Sequence, residues 1–299
     1  MSYEAWILLT GSLVGITCSM IGCFLVLRKM SMLADAISHT VLLGIVGAYF
    51  VTGFVDGPAM LVGAAIVGLL TAFLVQLLDG KGVQSDASIG VVFTSLFAVG
   101  VILISVYGGN VHLDVQHALM GDITFVPWDL LEWNGMNLGP SAVWMLGFVL
   151  ILNACIIFLC YKEFKLTSFD PAMAAAIGIP VLMIHYLQMG MLSITTVASF
   201  DSVGAILVVA MIIVPPSAAY LLTEKLLHML FISAGIGIAS AVTGYYAAVA
   251  ANVSIAGSMA VMTGIFFILA FIFSPSHGIV AKKRSRNAIG RRKVESPEN

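Results

Sequence analysis

Charge is scarce in this sequence. Only 9% of its 299 residues are Asp, Glu, Lys or Arg, while 60% are hydrophobic. Soluble domains carry about 25% charged residues, so a water-soluble globular chain is excluded and a polytopic membrane protein is expected. Cysteine is also sparse, with four in all. Cys18 and Cys23 share one apolar run and Cys155 and Cys160 another. That spacing matches no zinc motif and no disulfide framework, which leaves small apolar packing residues. No GxxxxGK[ST] element occurs, so the chain lacks that route to ATP hydrolysis. No HExxH element occurs either, which argues against an intramembrane metalloenzyme. The first apolar run has neither a basic leader nor a small-residue cleavage site, and it reads as a retained helix.

What the sequence does contain is long apolar runs, each close to the roughly 20 residues needed to span a bilayer. They fall at about 6–27, 32–53, 58–78, 88–107, 141–160, 181–200, 202–222, 228–250 and 254–273. The expected fold is all-α, a polytopic membrane helix bundle of about 8–9 transmembrane helices. The boundary near Asp201 is the least distinct. Residues 1–275 form the membrane domain and 276–299 a basic cytoplasmic tail.

The distribution of Lys and Arg orients the bundle. With Arg28 and Lys29 inside and the spans alternating, all 13 basic residues fall on the cytoplasmic side. The N-terminus is then outside and the C-terminus inside. Glu4, Asp56, Asp114, Asp122, Asp129, Glu132 and Asp201 fall on the outer face, where acids without bases attract cations. Ordinary loop solvation is the competing reading of these acids.

Against this apolar background Asp35 and His39 stand out. They lie four residues apart in the first half of the second run, on one helix face, one turn from each other. At 1.5 Å per residue they sit about 9 and about 15 Å beyond Lys29, inside the hydrocarbon core. An acid there is costly and marks a path for an ion, a proton or a substrate. A carboxylate beside an imidazole suits a divalent transition metal. The competing reading is a polar contact between helices, but no basic residue lies in any expected span to pair with the acid. Two ligands are few for a firm site, and a symmetric homodimer would supply four. Ser38 is a candidate for supporting hydrogen bonds.

Three further segments are informative. The stretch from Tyr107 to Pro140 holds His112, Asp114 and His117, which either form an outer site where the ion enters or belong to a solvated loop with interfacial aromatics. Between Tyr161 and Pro180, Asp170 and Pro171 read as the cap and first residue of a short cytoplasmic helix ended by Gly178. Such a helix suits docking to a partner or lies passively at the interface. Pro215 and Pro216 interrupt a span and remove two helix hydrogen bonds, so a kink or break is expected there. Carbonyls freed at that depth must be buried in protein or line a cavity.

Taken together, these segments resemble the permease subunits of bacterial ABC importers for manganese, zinc and iron. The resemblance rests on Gly22 to Met30, Asp35-Ala36-Ile37-Ser38-His39, Asp86 to Gly90, Phe169-Asp170-Pro171 with Ala176-Ile177-Gly178, and Val203 to Ala210. It runs from about residue 6 to 275. Singly, only the Asp-Ala-Ile-Ser-His element is specific; the order and spacing of the set are what identify the family. The double proline departs from the single proline expected there.

The resemblance implies a multi-pass permease in a bacterial plasma membrane, in contact with membrane lipids and working as a homodimer. A cytoplasmic ATP-binding subunit and an extracellular metal-binding lipoprotein would be its partners, with no nucleic acid involved. It implies metal ligation by Asp35 and His39. It also implies engagement of the ATPase by the segment containing Phe169, Asp170, Pro171, Ala176 and Gly178. No permanently bound cofactor is expected, only the transported metal, and likeness to Bacillus-type permeases favours Mn²⁺ over Zn²⁺ or Fe²⁺. A zinc importer of the same build and a proton-coupled secondary metal transporter are the alternatives.

Overall fold

A computed structural model describes residues 2–53, 58–107, 123–133 and 136–274. His112, Asp114, His117, Asp56, Asp122 and the basic tail from 276 onward lie outside the described residues. The helices are α1 (Tyr3–Leu27), α2 (Ser31–Thr52), α3 (Pro58–Asp79), α4 (Ser85–Tyr107), α5 (Ser141–Leu159), α6 (Tyr161–Phe169), α7 (Pro171–Ala176), α8 (Val181–Val203), α9 (Ala205–Leu222), α10 (Leu226–Ala251) and α11 (Ile255–Phe273). Among the described residues, nine of these are long and apolar enough to cross a membrane, namely α1 to α5 and α8 to α11.

The all-α bundle expected from the apolar runs is therefore the fold found. α1 packs against α5, α9 and α10, while α2 packs against α3 and α4, and α8 lies between the two groups. The turn after α1, the end of α3 and the segment from Thr167 to Pro171 surround one cavity, so all three lie at the same end of the bundle. Alternating spans require this. At the other end, Tyr3 donates to the Thr124 carbonyl at 2.8 Å.

Three local features differ from the expectation. A short antiparallel hairpin, β1 (Leu130–Trp133) and β2 (Met136–Pro140), lies in what reads as a polar loop and pairs Leu130 with Pro140. A helix, α6, precedes the capped α7. The boundary near Asp201 falls later, because α8 continues to Val203 and stops at Gly204, whose φ of 80° and ψ of 161° favour glycine.

Small residues bring the backbones together. A Cβ placed on Gly44 of α2 would lie 2.6 Å from the Gly63 carbonyl oxygen of α3, and one on Gly63 would lie 2.5 Å from that of Gly44. Contact this close supplies dispersion energy where no hydrophobic effect is available between helices. The same pair is joined by buried hydroxyls. Thr71 donates to Thr40 Oγ1 at 2.9 Å, and Thr40 donates to the Ile37 carbonyl at 3.1 Å. Thr71→Val is expected to lower stability by about 0.6 kcal/mol, the usual worth of an interhelical hydrogen bond in a membrane. Thermal unfolding in detergent checks this, and an unchanged midpoint would remove the bond from the account.

The two prolines do not break α9, which runs through Pro215 and Pro216. Pro216 cannot donate to the Ile212 carbonyl four residues back. That oxygen instead faces Gly22 of α1, so closely that a Cβ on Gly22 would stand 1.9 Å from it. The freed acceptor is buried against protein, as the low dielectric requires.

Candidate metal site and cytoplasmic docking segment

The site is built on α2. Leu33, Ala34, Ala36, Ile37 and Val41 turn into the protein and are buried. The helical period then leaves Asp35 and His39 together on the open side. His39 Nε2 lies 3.7 Å from Asp35 Oδ1, and the two side chains are 38% and 42% exposed in the single chain. The imidazole is backed by two rings of α4, Phe93 at 5.5 Å and Phe97 at 5.9 Å between centroids. These rings hold the imidazole in place from one side and leave its Nε2 edge toward the carboxylate.

Ser38 does not take the supporting part expected of it. It is buried and donates to the backbone carbonyl of Asp35, within its own helix. Among the described residues no group of three or more His, Cys, Asp and Glu side chains could hold a metal. One chain thus presents two donors on an open face. Divalent transition metals take four or more ligands, so two donors by themselves do not complete a coordination shell.

At the cytoplasmic end the cap read from the sequence is present. Asp170 Oδ1 accepts from the Met173 amide at 2.9 Å, and Pro171 occupies the first helical position. Gly178 has φ of +88°, and the Ile179 amide closes the turn on the Ala174 carbonyl at 3.0 Å. Ala174 is buried, whereas Phe169, Met173 and Ile177 are exposed; Ala176 and Gly178 lie on the same exposed segment. Phe169 at the end of α6, Met173 on the capped α7 and Ile177 just after it place three large exposed apolar side chains on one short segment, a surface suited to another protein.

Sequence reasoning missed one group. The Arg28 guanidinium donates to Gln188 Oε1 of α8 and lies 3.4 Å from His185 Nδ1. Residues about 160 positions apart give no local signal that they meet. The four cysteines are free, as expected, and Cys18 and Cys23 are buried.

The chain is similar to several known membrane transport proteins. It is 68% identical over 283 residues to the manganese transport system membrane protein MntD of Bacillus subtilis, covering 95% of this chain and 96% of that one. It is 42% identical to the zinc transport system membrane protein TroD of Treponema pallidum, over 92% of this chain and 75% of that one. Among solved structures it resembles PsaBC from Streptococcus pneumoniae in complex with Fab, with a TM-score of 0.78 and 32% identity over 95% of this chain and 96% of that one. The model of the ABC 3 transport family matches residues 2–274. That stretch takes in every membrane-crossing helix described above, and the chain belongs to the ABC 3 transport family as a multi-pass membrane permease, not an enzyme.

Proposed function

We propose that this permease carries Mn²⁺ inward across the bacterial plasma membrane. Two copies hold the ion between them on Asp35 and His39, and a cytoplasmic ATP-binding subunit supplies the energy. An extracellular metal-binding lipoprotein delivers the ion to the acid-bearing outer face. The observation that carries this reading is the half-complete donor set on the open face of α2. A second copy related by a two-fold axis adds the same two donors and completes a four-ligand shell.

Manganese is favoured because the relative named for manganese transport is far closer in sequence than the one named for zinc. The ligands alone do not choose, since Zn²⁺ binds such donors more tightly at equal availability. The exposed segment with Phe169, Asp170, Pro171, Ala176 and Gly178 docks on the ATP-binding subunit, and its movement opens the path inward. Release requires that ATP binding or hydrolysis favour a state of lower metal affinity.

The test is metal accumulation in cells lacking their own importers, supplied with this permease, its ATP-binding subunit and its binding protein. Mn²⁺ and Zn²⁺ are offered in competition. Uptake of Mn²⁺ is expected, and it should be lost both with His39→Ala and with an ATPase-dead partner. Uptake that survives the dead partner would favour a proton-coupled transporter, and Zn²⁺ accumulating in preference to Mn²⁺ would overturn the choice of metal.

A further inference from the structure

The turn from Arg28 to Met30 joins α1 to the helix that bears Asp35 and His39. It is tightly pinned. The amides of Arg28, Lys29 and Met30 donate back to the carbonyls of Phe24, Val26 and Leu25, and the Leu33 amide donates to Met30. Lys29 adopts the left-handed conformation with φ of 58°. A turn held by four such bonds moves as one piece with the first turn of α2.

Facing it is the unit formed by α6, α7 and the start of α8. A cavity of about 560 Å³ lies between the two and is lined from both sides, by Arg28 and Met30 on one and by Ser168, Pro171 and His185 on the other. Across this gap the Arg28 guanidinium reaches Gln188 Oε1 and His185 Nδ1. No carboxylate among the described residues lies within ion-pair distance of it. Gln188 is 3% exposed, and its Nε2 has no partner among the described residues. A buried amide that leaves its donors unused is costly. Here its acceptor is committed to one cation on another helix, and that cation is an arginine, which stays charged under all ordinary conditions.

We infer that Arg28 is the positioning residue through which displacement of α7 and α8 is passed to α2 and its metal ligands. The inference rests on the reading of α7 as the docking helix and of Asp35 and His39 as the metal site. The Phe24–Phe164 ring contact at 5.2 Å also ties α1 to α6. An apolar contact can slide, however, whereas a charge-assisted hydrogen bond fixes direction and register. Energetic coupling between two sites needs an element whose arrangement both sites bias, and the Arg28–Gln188 bond links these two units beside the cavity that separates them.

The experiment uses the whole complex in proteoliposomes, comparing wild type with Arg28→Met, Arg28→Lys and Gln188→Leu. Three quantities are read: Mn²⁺ bound, by electron paramagnetic resonance; basal ATP hydrolysis; and Mn²⁺ moved per ATP. For Arg28→Met, bound Mn²⁺ and basal hydrolysis are expected to match wild type while ions moved per ATP fall about tenfold, within the usual range of coupling between sites. Gln188→Leu should reproduce the loss, and Arg28→Lys, which can still donate to Gln188, should recover part of it.

A wild-type transport ratio in Arg28→Met or Gln188→Leu overturns the inference. Joint loss of metal binding and folding in all three variants does so too, because it marks a purely structural role. Failure of the underlying reading looks different: Asp35→Ala would then bind and transport Mn²⁺ normally whatever the Arg28 variants do.

Discussion

Asp35→Ala is expected to reduce Mn²⁺ uptake to the level of cells without the permease, at unchanged abundance in the membrane. The proposed site has one carboxylate donor per chain, and removing it leaves only the two imidazoles to hold a divalent cation. Loss of even a residue that merely supports a ligand costs about 10- to 100-fold in metal affinity, and loss of the charged ligand itself should cost at least as much. Folding should survive. Asp35 is 42% exposed in the single chain, and its carboxylate lies 3.7 Å from His39 on the same helix. No bond between helices is lost with the carboxylate, and alanine favours the helix. Uptake measured with radioactive or mass-labelled manganese, normalised to membrane abundance, decides the matter. Normal uptake would remove Asp35 from the metal path.

The second large effect concerns folding. Gly22→Ala is expected to destabilise the bundle by about 3 kcal/mol or more, the upper range for forcing atoms into a packed core. The added methyl carbon would stand 1.9 Å from the Ile212 carbonyl oxygen and 2.7 Å from Pro216 Cγ. Neither is the free end of a flexible side chain. To make room, α1 and α9 must separate, which exposes the carbonyl that Pro216 leaves without a helical donor. Gly47→Ala is the control. A Cβ there meets nothing within 4 Å, and alanine at a helical glycine gains about 1 kcal/mol. Thermal unfolding of the purified chains should therefore move in opposite directions. A Gly22→Ala protein as stable as wild type would refute the close packing of α1 on the proline segment.

Much of this was legible in the sequence because a bilayer enforces simple rules. Spans must be apolar, about 20 residues long and helical, so the nine runs map onto the nine helices with ends shifted by a few residues. The Asp170–Pro171 cap was legible because capping is local chemistry. Asp35 and His39 were legible as a pair because the helical period alone puts them on one face. What escaped notice depends on contacts between distant residues. Arg28 reads as an ordinary cytoplasmic charge until α8 brings Gln188 to it. The prolines read as a break until Gly22 is seen to let α1 cover the freed carbonyl. The β1–β2 hairpin escaped because its residues show no clean alternation and pair beside the N-terminal end of α1. Helix length at Gly204 turned on a single backbone conformation that composition does not reveal.

The junction at Gly204 has a mechanical consequence. Two membrane-crossing helices meet there with a single residue between them, so their outer ends cannot part. α8 can still tilt about that point as a lever about its fulcrum. The helix has 23 residues, and at 1.5 Å per residue a tilt of about 10° at the fulcrum swings its far end by roughly 6 Å. That far end is joined to the docking helix, and His185 and Gln188 follow within its first eight residues, where the same tilt gives about 4 to 5 Å. A small rotation near the outer surface thus becomes a full helical turn of travel at the inner one.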